Sequence, residues 1–124
     1  MTASTTLNAW APRVLSITRI MSGLLLLAHG TAKFLNFPPL SSLPGIAGVI
    51  ELVCGVLIAL GLFTRPAAFL ASGMTAFAYF IAHFPKNFFP VANGGDAAVL
   101  FCFIFLYFIF AGAGPWSIDA QRGR

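Results

Sequence analysis

The chain has 124 residues, of which 59% are hydrophobic and only 8% are charged, and its mean hydropathy is +0.91. A soluble domain carries roughly 25% charged residues, so this composition argues against a soluble protein and indicates a membrane protein embedded in the lipid bilayer. The formal net charge is +4, but the basic residues lie at the ends of apolar runs and form no stripe. We therefore expect no nucleic-acid partner.

Four apolar segments follow one another along the chain, and turn-forming residues separate them. The predicted spans cover residues 13–35, 46–63, 67–84 and 97–113. Each is close to the ~20 residues that a helix needs to cross the bilayer, and backbone in lipid must satisfy its own hydrogen bonds. The sequence therefore predicts one all-α domain over residues 1–124, a transmembrane four-helix bundle.

The positive charges predict the orientation of this bundle. With four spans, the basic residues divide unequally between the two sides. One side holds Arg13, Arg19, Arg65, Arg122 and Arg124, and the other holds Lys33 and Lys86. Because the side richer in Lys and Arg stays in the cytoplasm, we predict that both termini are cytoplasmic. We expect the protein in the inner (plasma) membrane of a bacterium.

Five polar or titratable side chains fall near the outer ends of three predicted helices. A rise of ~1.5 Å per residue places three of them at one depth, about 8 to 9 Å from the outer end, and the other two one turn nearer the surface. The deeper set is His29, Glu51 and Tyr79, and the shallower set is Lys33 and His83. The sequence therefore predicts that these side chains converge on one site.

Glu51 is the leading functional candidate in this set, because a carboxylate inside a span costs several kcal/mol unless it is paired or protonated. We expect Glu51 to face His29 and Lys33, and we assign Glu51 and His29 as candidate catalytic groups that carry protons. Lys33, Tyr79 and His83 are candidate ligand-binding groups. The alternatives are interfacial anchoring for Lys33 and His83 and a structural hydrogen bond for Tyr79.

Arg19 lies ~24 Å from the outer end of the first helix and needs a different partner. The candidates are Asp119, carbonyl groups at the end of the fourth helix, or a lipid phosphate. We assign Arg19 and Asp119 to structural ion pairing. The fourth helix carries few polar groups, so it should close the bundle by packing, with Tyr107 bonded to a neighbouring backbone or polar group.

The small residues of the first two helices predict a close helix contact. Gly23 and Gly30 border the polar face of the first helix, and Gly48 and Gly55 follow a stripe on the second. Such residues let two helices approach. The sequence shows no metal motif and no redox pair of cysteines, so we predict no metal and no tightly bound cofactor. Haem ligation by His29 and His83 is disfavoured because their estimated depths differ by one turn.

Five motifs in order carry a family resemblance. They are R-(x)9-HGxxKF at 19–34, GxxELxxGxxxxLGLFTRPAA at 48–68, AY(x)3H at 78–83, NGGDAAVLF at 93–101 and GAGPWSID at 112–119. Together they span nearly the whole chain. The sequence resembles the DoxX family of small four-span membrane proteins.

The resemblance implies a subunit of a membrane oxidoreductase system linked to quinones and to oxidative stress, including electron transfer from thiosulfate to quinone. A quinone as substrate needs apolar walls, which Phe34, Phe80 and Phe84 can provide, together with hydrogen-bond donors and a proton path. No residue set binds flavin or an iron–sulfur cluster, so a redox partner protein would supply electrons. A homo-oligomer is a further candidate assembly. The alternative function is a non-catalytic membrane scaffold or small-molecule carrier.

Overall fold

The computed structural model of the chain describes residues 2–35 and 40–123, and within these ranges the secondary structure is helical with no strand. Arg124 and the predicted turn residues 36–39 lie outside the described ranges. The helices are α1 (Ala3–Phe34), α2 (Leu43–Leu60), α3 (Thr64–Ala78), α4 (Pro90–Asn93), α5 (Asp96–Ala111) and α6 (Ile118–Gln121). A π turn, Tyr79–His83, and a 3-10 turn, Phe84–Lys86, continue α3.

Three of these helical segments are long and apolar enough to cross a membrane, namely Ala3–Phe34, Leu43–Leu60 and Thr64–Lys86. The apolar α5 has 16 residues, and a helix of that length extends only about 24 Å, against ~30 Å of hydrocarbon. The all-helical membrane fold is therefore confirmed. A fourth complete span and the cytoplasmic position of the termini stay predictions.

Glycine residues bring α1 and α2 into close contact. A Cβ atom added to Gly23 would lie 2.5 Å from the backbone nitrogen of Ala59, and one added to Gly55 would lie 2.8 Å from that of Leu27. Real Cβ atoms essentially never come that close to a neighbouring backbone, so only glycine allows this spacing of the two helices. The predicted packing role of these small residues is confirmed.

The fourth long helix, α5, packs on α3 through one face. Phe105 and Phe108 of α5 are fully buried, and Ser72 Oγ of α3 donates a hydrogen bond to the Cys102 carbonyl at 2.8 Å. Tyr107 lies on the opposite face of α5, where it is 61% exposed. Its hydroxyl has no hydrogen-bond partner among the described residues, so the predicted bond of Tyr107 is wrong.

Arg19 of α1 fastens the C-terminal segment to the end of α2. Its side chain is 1% exposed and donates from Nε to the Ile58 carbonyl at 2.9 Å and from Nη2 to the Trp116 carbonyl at 2.9 Å. It also donates to the carbonyls of Ala113 and Ala59. The partners are thus backbone oxygens from two segments. The sequence predicted carbonyls at the end of the fourth helix as candidates, but it did not predict those at the end of α2.

Asp119 has partners of its own. Its Oδ1 accepts from the Phe63 N–H at 2.9 Å and its Oδ2 from the Thr64 N–H at 2.9 Å, so a distant carboxylate caps the first turn of α3. Burial by itself raises the pKa of the Asp119 carboxyl, but hydrogen bonds from Thr64 and Phe63 and the charge of Arg122 lower that pKa below its ordinary value of 3.8. No direct ion pair joins Asp119 to Arg19 within the described ranges, which corrects the predicted pairing.

Candidate functional site

Lys33 and Glu51 form an ion pair between α1 and α2. The Lys33 Nζ atom lies 2.8 Å from Glu51 Oε1 and 3.0 Å from Oε2, so the ammonium bridges both oxygens of the carboxylate. The approach of the helices makes this contact possible, because Gly30 of α1 packs directly against the Glu51 Cβ atom. The pair brings two predicted site residues together, and their roles in binding or proton transfer stay predictions.

An apolar groove lies beside this ion pair. Its volume is about 550 Å³, within the ~300 to 1,000 Å³ typical of small-molecule sites. One wall comes from α2 and the other from α3 with its π turn. Lys33 is the only charged residue among the described residues that line it. The other lining residues are Leu43, Pro44, Ile46, Ala47, Ile50, Gly73, Met74, Phe77, Ala78, Ile81 and Ala82.

Gly73 leaves one wall of the groove open. A Cβ atom added to it would meet no atom within 4 Å, in contrast to the crowded glycines between α1 and α2. The predicted aromatic walls lie elsewhere, since Phe34 packs on Gly48 and Phe80 and Phe84 contact each other with ring centroids 5.6 Å apart. The groove therefore differs in its walls from the predicted site.

His29 faces another part of the molecule. Its Nδ1 donates to the Leu25 carbonyl one turn earlier, with 2.8 Å between the atoms, because a carbonyl oxygen can only accept. Its ring contacts the edge of Phe101 on α5, with centroids 5.4 Å apart. His29 has no hydrogen bond to Glu51 among the described contacts and does not line the groove. The predicted joint site of His29 with Glu51 is therefore not formed by direct contact.

Tyr79 and His83 form a second polar cluster, in the π turn that follows α3. Their rings stack with centroids 6.4 Å apart. The Tyr79 hydroxyl accepts from Asn93 Nδ2 at 3.0 Å, and His83 Nδ1 donates to the Asn93 carbonyl at 3.2 Å. Neither side chain lines the groove. The structure therefore divides the predicted five-residue site into an ion pair, an isolated histidine and this cluster.

Asn93 is the residue that the sequence prediction missed. It is buried, and besides its contacts with Tyr79 and His83 it donates to the Asn87 carbonyl at 2.9 Å and accepts from the Gly95 N–H at 2.8 Å. An asparagine before two glycines is typical of a turn, so its position alone suggested only a connection. Nothing else in the sequence marks Asn93, since the π turn that brings Tyr79 and His83 to it is visible only in the structure.

No group of three or more His, Cys, Asp or Glu side chains suited to a metal ion occurs among the residues that the structure describes. The two histidines also have separate partners, Phe101 for His29 and Asn93 for His83. The arrangement thus offers a charged pair, an apolar groove and a hydrogen-bonded polar cluster.

The comparisons with known proteins agree with a membrane fold. The DoxX family model matches residues 14–84. An uncharacterised protein of Haemophilus influenzae is 44% identical over 126 residues, covering 91% of this chain and 93% of that protein. An uncharacterised membrane protein of Mycobacterium tuberculosis is 30% identical over 143 residues, covering 95% of this chain and 86% of that protein. No solved structure matches the chain. The chain therefore belongs to the DoxX family.

Proposed function

We propose that the chain is a membrane oxidoreductase subunit that binds a quinone or a similar small hydrophobic molecule in the groove between α2 and α3. The observation that carries the proposal is the Lys33 ammonium at an otherwise apolar groove of about 550 Å³. A quinone offers the matching chemistry, since its ring and tail are apolar and its carbonyl oxygens accept hydrogen bonds.

Lys33 is equipped to bind such a carbonyl. An ammonium group has three N–H donors, and the two oxygens of Glu51 can take two of them. The third donor remains for an occupant of the groove. A hydrogen bond from a charged donor contributes roughly 1.5 to 3 kcal/mol, which is enough to orient a quinone ring with one carbonyl toward Lys33.

Glu51 has a supporting role in this proposal. It does not line the groove, but it holds the Lys33 ammonium at the groove and can exchange a proton with it. Two-electron reduction of a quinone consumes two protons and two electrons. The electrons come from a partner redox protein.

The proposed function also includes an orientation of the helix bundle in the membrane. Four spans with both termini in the cytoplasm place Lys33 and the groove in the outer half of a bacterial inner membrane. The short α5 is compatible with this topology because local thinning of the bilayer accommodates a short span. The excess of arginine at the opposite end of the bundle supports the same orientation.

Photolabelling tests the binding step. The protein is reconstituted in nanodiscs and irradiated with an azido-quinone, and the labelled peptides are identified by mass spectrometry. We expect the label on α2 and α3 at groove residues such as Met74 and Phe77, and we expect decyl-ubiquinone to compete. Labels spread over all lipid-facing surfaces, without competition, would contradict the proposal.

Two leucine variants provide a matched control. Gly73→Leu fills the groove from its open wall, whereas Ala28→Leu adds the same side chain to an exposed position of α1. We expect the first variant to lose specific labelling and the second to retain it, with both proteins folded. Reduction of a quinone analogue by membranes that contain or lack the protein then separates a redox subunit from a non-catalytic scaffold or carrier.

A further inference from the structure

A second cavity lies at the opposite end of the bundle from Lys33, where α3 begins and α5 ends. Its volume is about 570 Å³, and its lining includes Arg65, Arg122 and Asp119. This cavity plays no part in the proposed quinone chemistry. The described lining residues thus include two cations and one carboxylate, and the balance of these charges decides which ligand the cavity can bind.

Arg65 keeps free donors at this cavity. Its Nη1 atom donates to the carbonyls of Ile109 and Phe110, both at 3.0 Å, which anchors the side chain to the end of α5. A guanidinium has five N–H donors, so those on Nε and Nη2 are left over. Nη2 lies beside Gly112 at the edge of the cavity, 3.0 Å from where a Cβ atom of that residue would be.

Arg122 is held in a different way. Its guanidinium carbon lies 4.9 Å from the centroid of the Phe63 ring, and its side chain has no hydrogen bond to any described residue. Stacking engages the face of the guanidinium and leaves its N–H edge free to donate. The arginine is thus positioned, but its donors have no acceptor in the described part of the chain.

The carboxylate in the lining does not neutralise these cations by direct pairing. Both oxygens of Asp119 accept from backbone amides of α3, and neither Arg65 nor Arg122 forms a salt bridge with it within the described ranges. Two guanidinium groups against one amide-bound carboxylate leave a net positive cavity. Its ligand should therefore be an anion that accepts several hydrogen bonds.

The surroundings indicate that this anion has an apolar tail. Phe110 and Trp116, which neighbour cavity residues in the sequence, are 74% and 50% exposed. A tryptophan beside basic residues is typical of the boundary between lipid headgroups and hydrocarbon. A phosphate at this boundary belongs to a lipid, and basic pockets between membrane helices bind such headgroups.

We propose that this cavity binds the phosphate headgroup of an anionic phospholipid, with Arg65 and Arg122 as hydrogen-bond donors and the acyl chains against the apolar surface near Phe110 and Trp116. Arginine suits this role because its planar guanidinium can donate two parallel hydrogen bonds to two oxygens of one phosphate. The lipid would connect the start of α3 with the end of α5 at the side of the membrane that holds the chain termini.

Native mass spectrometry tests this proposal on the full-length protein in detergent. Phosphatidylglycerol and phosphatidylcholine with identical acyl chains are titrated separately, and the bound fraction is measured for each. We expect phosphatidylglycerol to bind about tenfold more tightly, a difference of about 1.4 kcal/mol, because both lipids offer the same phosphate but only phosphatidylcholine adds a choline cation, which the two arginines repel. Equal binding of the two lipids would overturn the proposal.

Two alanine variants show whether the cavity itself is responsible. Arg122→Ala removes a cavity arginine, and Arg13→Ala removes an arginine that stacks in the same way on Trp10, at 4.7 Å, outside the cavity. We expect the preference for phosphatidylglycerol to be lost only in Arg122→Ala. Loss of the preference in both variants would show that general charge attraction, and no built site, causes it.

Inorganic phosphate provides the final arm of the test. Added at millimolar concentration, it should not displace bound phosphatidylglycerol if the acyl chains contribute to binding. Displacement by inorganic phosphate would show a site for a soluble anion and overturn the lipid assignment. Arg122→Ala is the primary variant because the Arg122 side chain has no hydrogen bond within the described structure, so its loss should leave the fold intact.

Discussion

Lys33 and Glu51 are 18 residues apart in the sequence, yet the Lys33 ammonium bridges both carboxylate oxygens at 2.8 and 3.0 Å. The two partners are unequally buried, since the Lys33 side chain is 33% exposed and that of Glu51 only 7%. A long lysine side chain can turn toward the membrane surface when its partner is lost. The buried carboxylate has no such route, so the pair should respond asymmetrically to mutation.

Lys33→Met should therefore destabilise the protein more than Glu51→Gln. Loss of Lys33 leaves a buried carboxylate without its cation, which costs about 3 kcal/mol, whereas loss of the Glu51 charge leaves a lysine that can reach water, which costs about 1 kcal/mol. The free energy of unfolding in mixed detergent micelles measures both. Equal losses in the two variants would contradict a stabilising role that depends on the unequal burial of the two partners.

The close contact of α1 with α2 predicts a contrast between two glycine substitutions. Gly23→Ala places a Cβ atom 2.5 Å from the Ala59 backbone nitrogen, so the helices must separate, at a cost of about 1 to 3 kcal/mol. Gly73→Ala meets no atom within 4 Å and should stabilise α3 by up to ~1 kcal/mol, since alanine is the better helix former. Thermal unfolding compares the two, and an equally destabilised Gly73→Ala would contradict the open groove wall.

Asp119 should make the stability of the protein pH-dependent in acid. Its pKa is lowered on folding, so its stabilising contribution is complete above the ordinary value of 3.8 and is lost as the pH falls through the lower folded pKa. Asparagine in place of Asp119 keeps one acceptor oxygen and loses the other. Asp119→Asn therefore removes one of the two hydrogen bonds that cap α3 and should cost about 1 kcal/mol at pH 7. The gap in unfolding temperature between wild type and variant should narrow as the pH is lowered from 5 to 3.

Asp96→Asn is the matched control for this titration. Asp96 is an exposed carboxylate in the first turn of α5, and its side chain has no hydrogen bond to the residues that the structure describes. Its substitution should leave the acid dependence of wild type almost unchanged. The difference in unfolding temperature between wild type and Asp96→Asn should not narrow in acid as it does for Asp119→Asn. If it narrowed equally, the total charge of the protein, and not the cap of α3, would govern the acid response.

Periodicity predicted the contacts that depend on regular helices. Gly23, Gly30 and Glu51 lie where uniform helical turns place them, and the sequence therefore predicted the contact between α1 and α2 and a position of Glu51 facing Lys33. The same arithmetic also placed His29 level with Glu51, whereas the carboxylate pairs with Lys33 one turn away, and it gave no information on which face of α3 meets α2. Tyr79 was consequently assigned to one site with Glu51, although Ala78 and Ile81 of the same segment, and not Tyr79, line the groove beside the ion pair.

The other predicted contacts differ from the observed ones where the backbone geometry is irregular or where a side chain bonds to a residue far away in the sequence. A π turn at Tyr79–His83 breaks the uniform rotation on which the prediction of a common face relied. The cap of α3 comes from Asp119, 55 residues away from Thr64, and no local pattern announces such a partner. The Ile58 and Ala59 carbonyls at the end of α2 were equally unpredictable as partners of Arg19, because every residue has a carbonyl and the sequence does not show which ones lack a helical partner.

Arg19 should be irreplaceable by lysine, which retains the charge but lacks the planar set of donors. The guanidinium reaches the Ile58 carbonyl through Nε and the Trp116 carbonyl through Nη2, and a single ammonium cannot reach both segments at once. Arg19→Lys should lower the free energy of unfolding by about 3 kcal/mol, since a buried carbonyl left without a donor costs roughly 1 to 3 kcal/mol. The C-terminal segment should also loosen, so chymotrypsin should cut faster after Trp116.

Arg13→Lys, an exposed change on the same helix, is the control. Equal stability and equal cleavage rates in the two variants would disprove the role of Arg19 in fastening the C-terminal segment to α2.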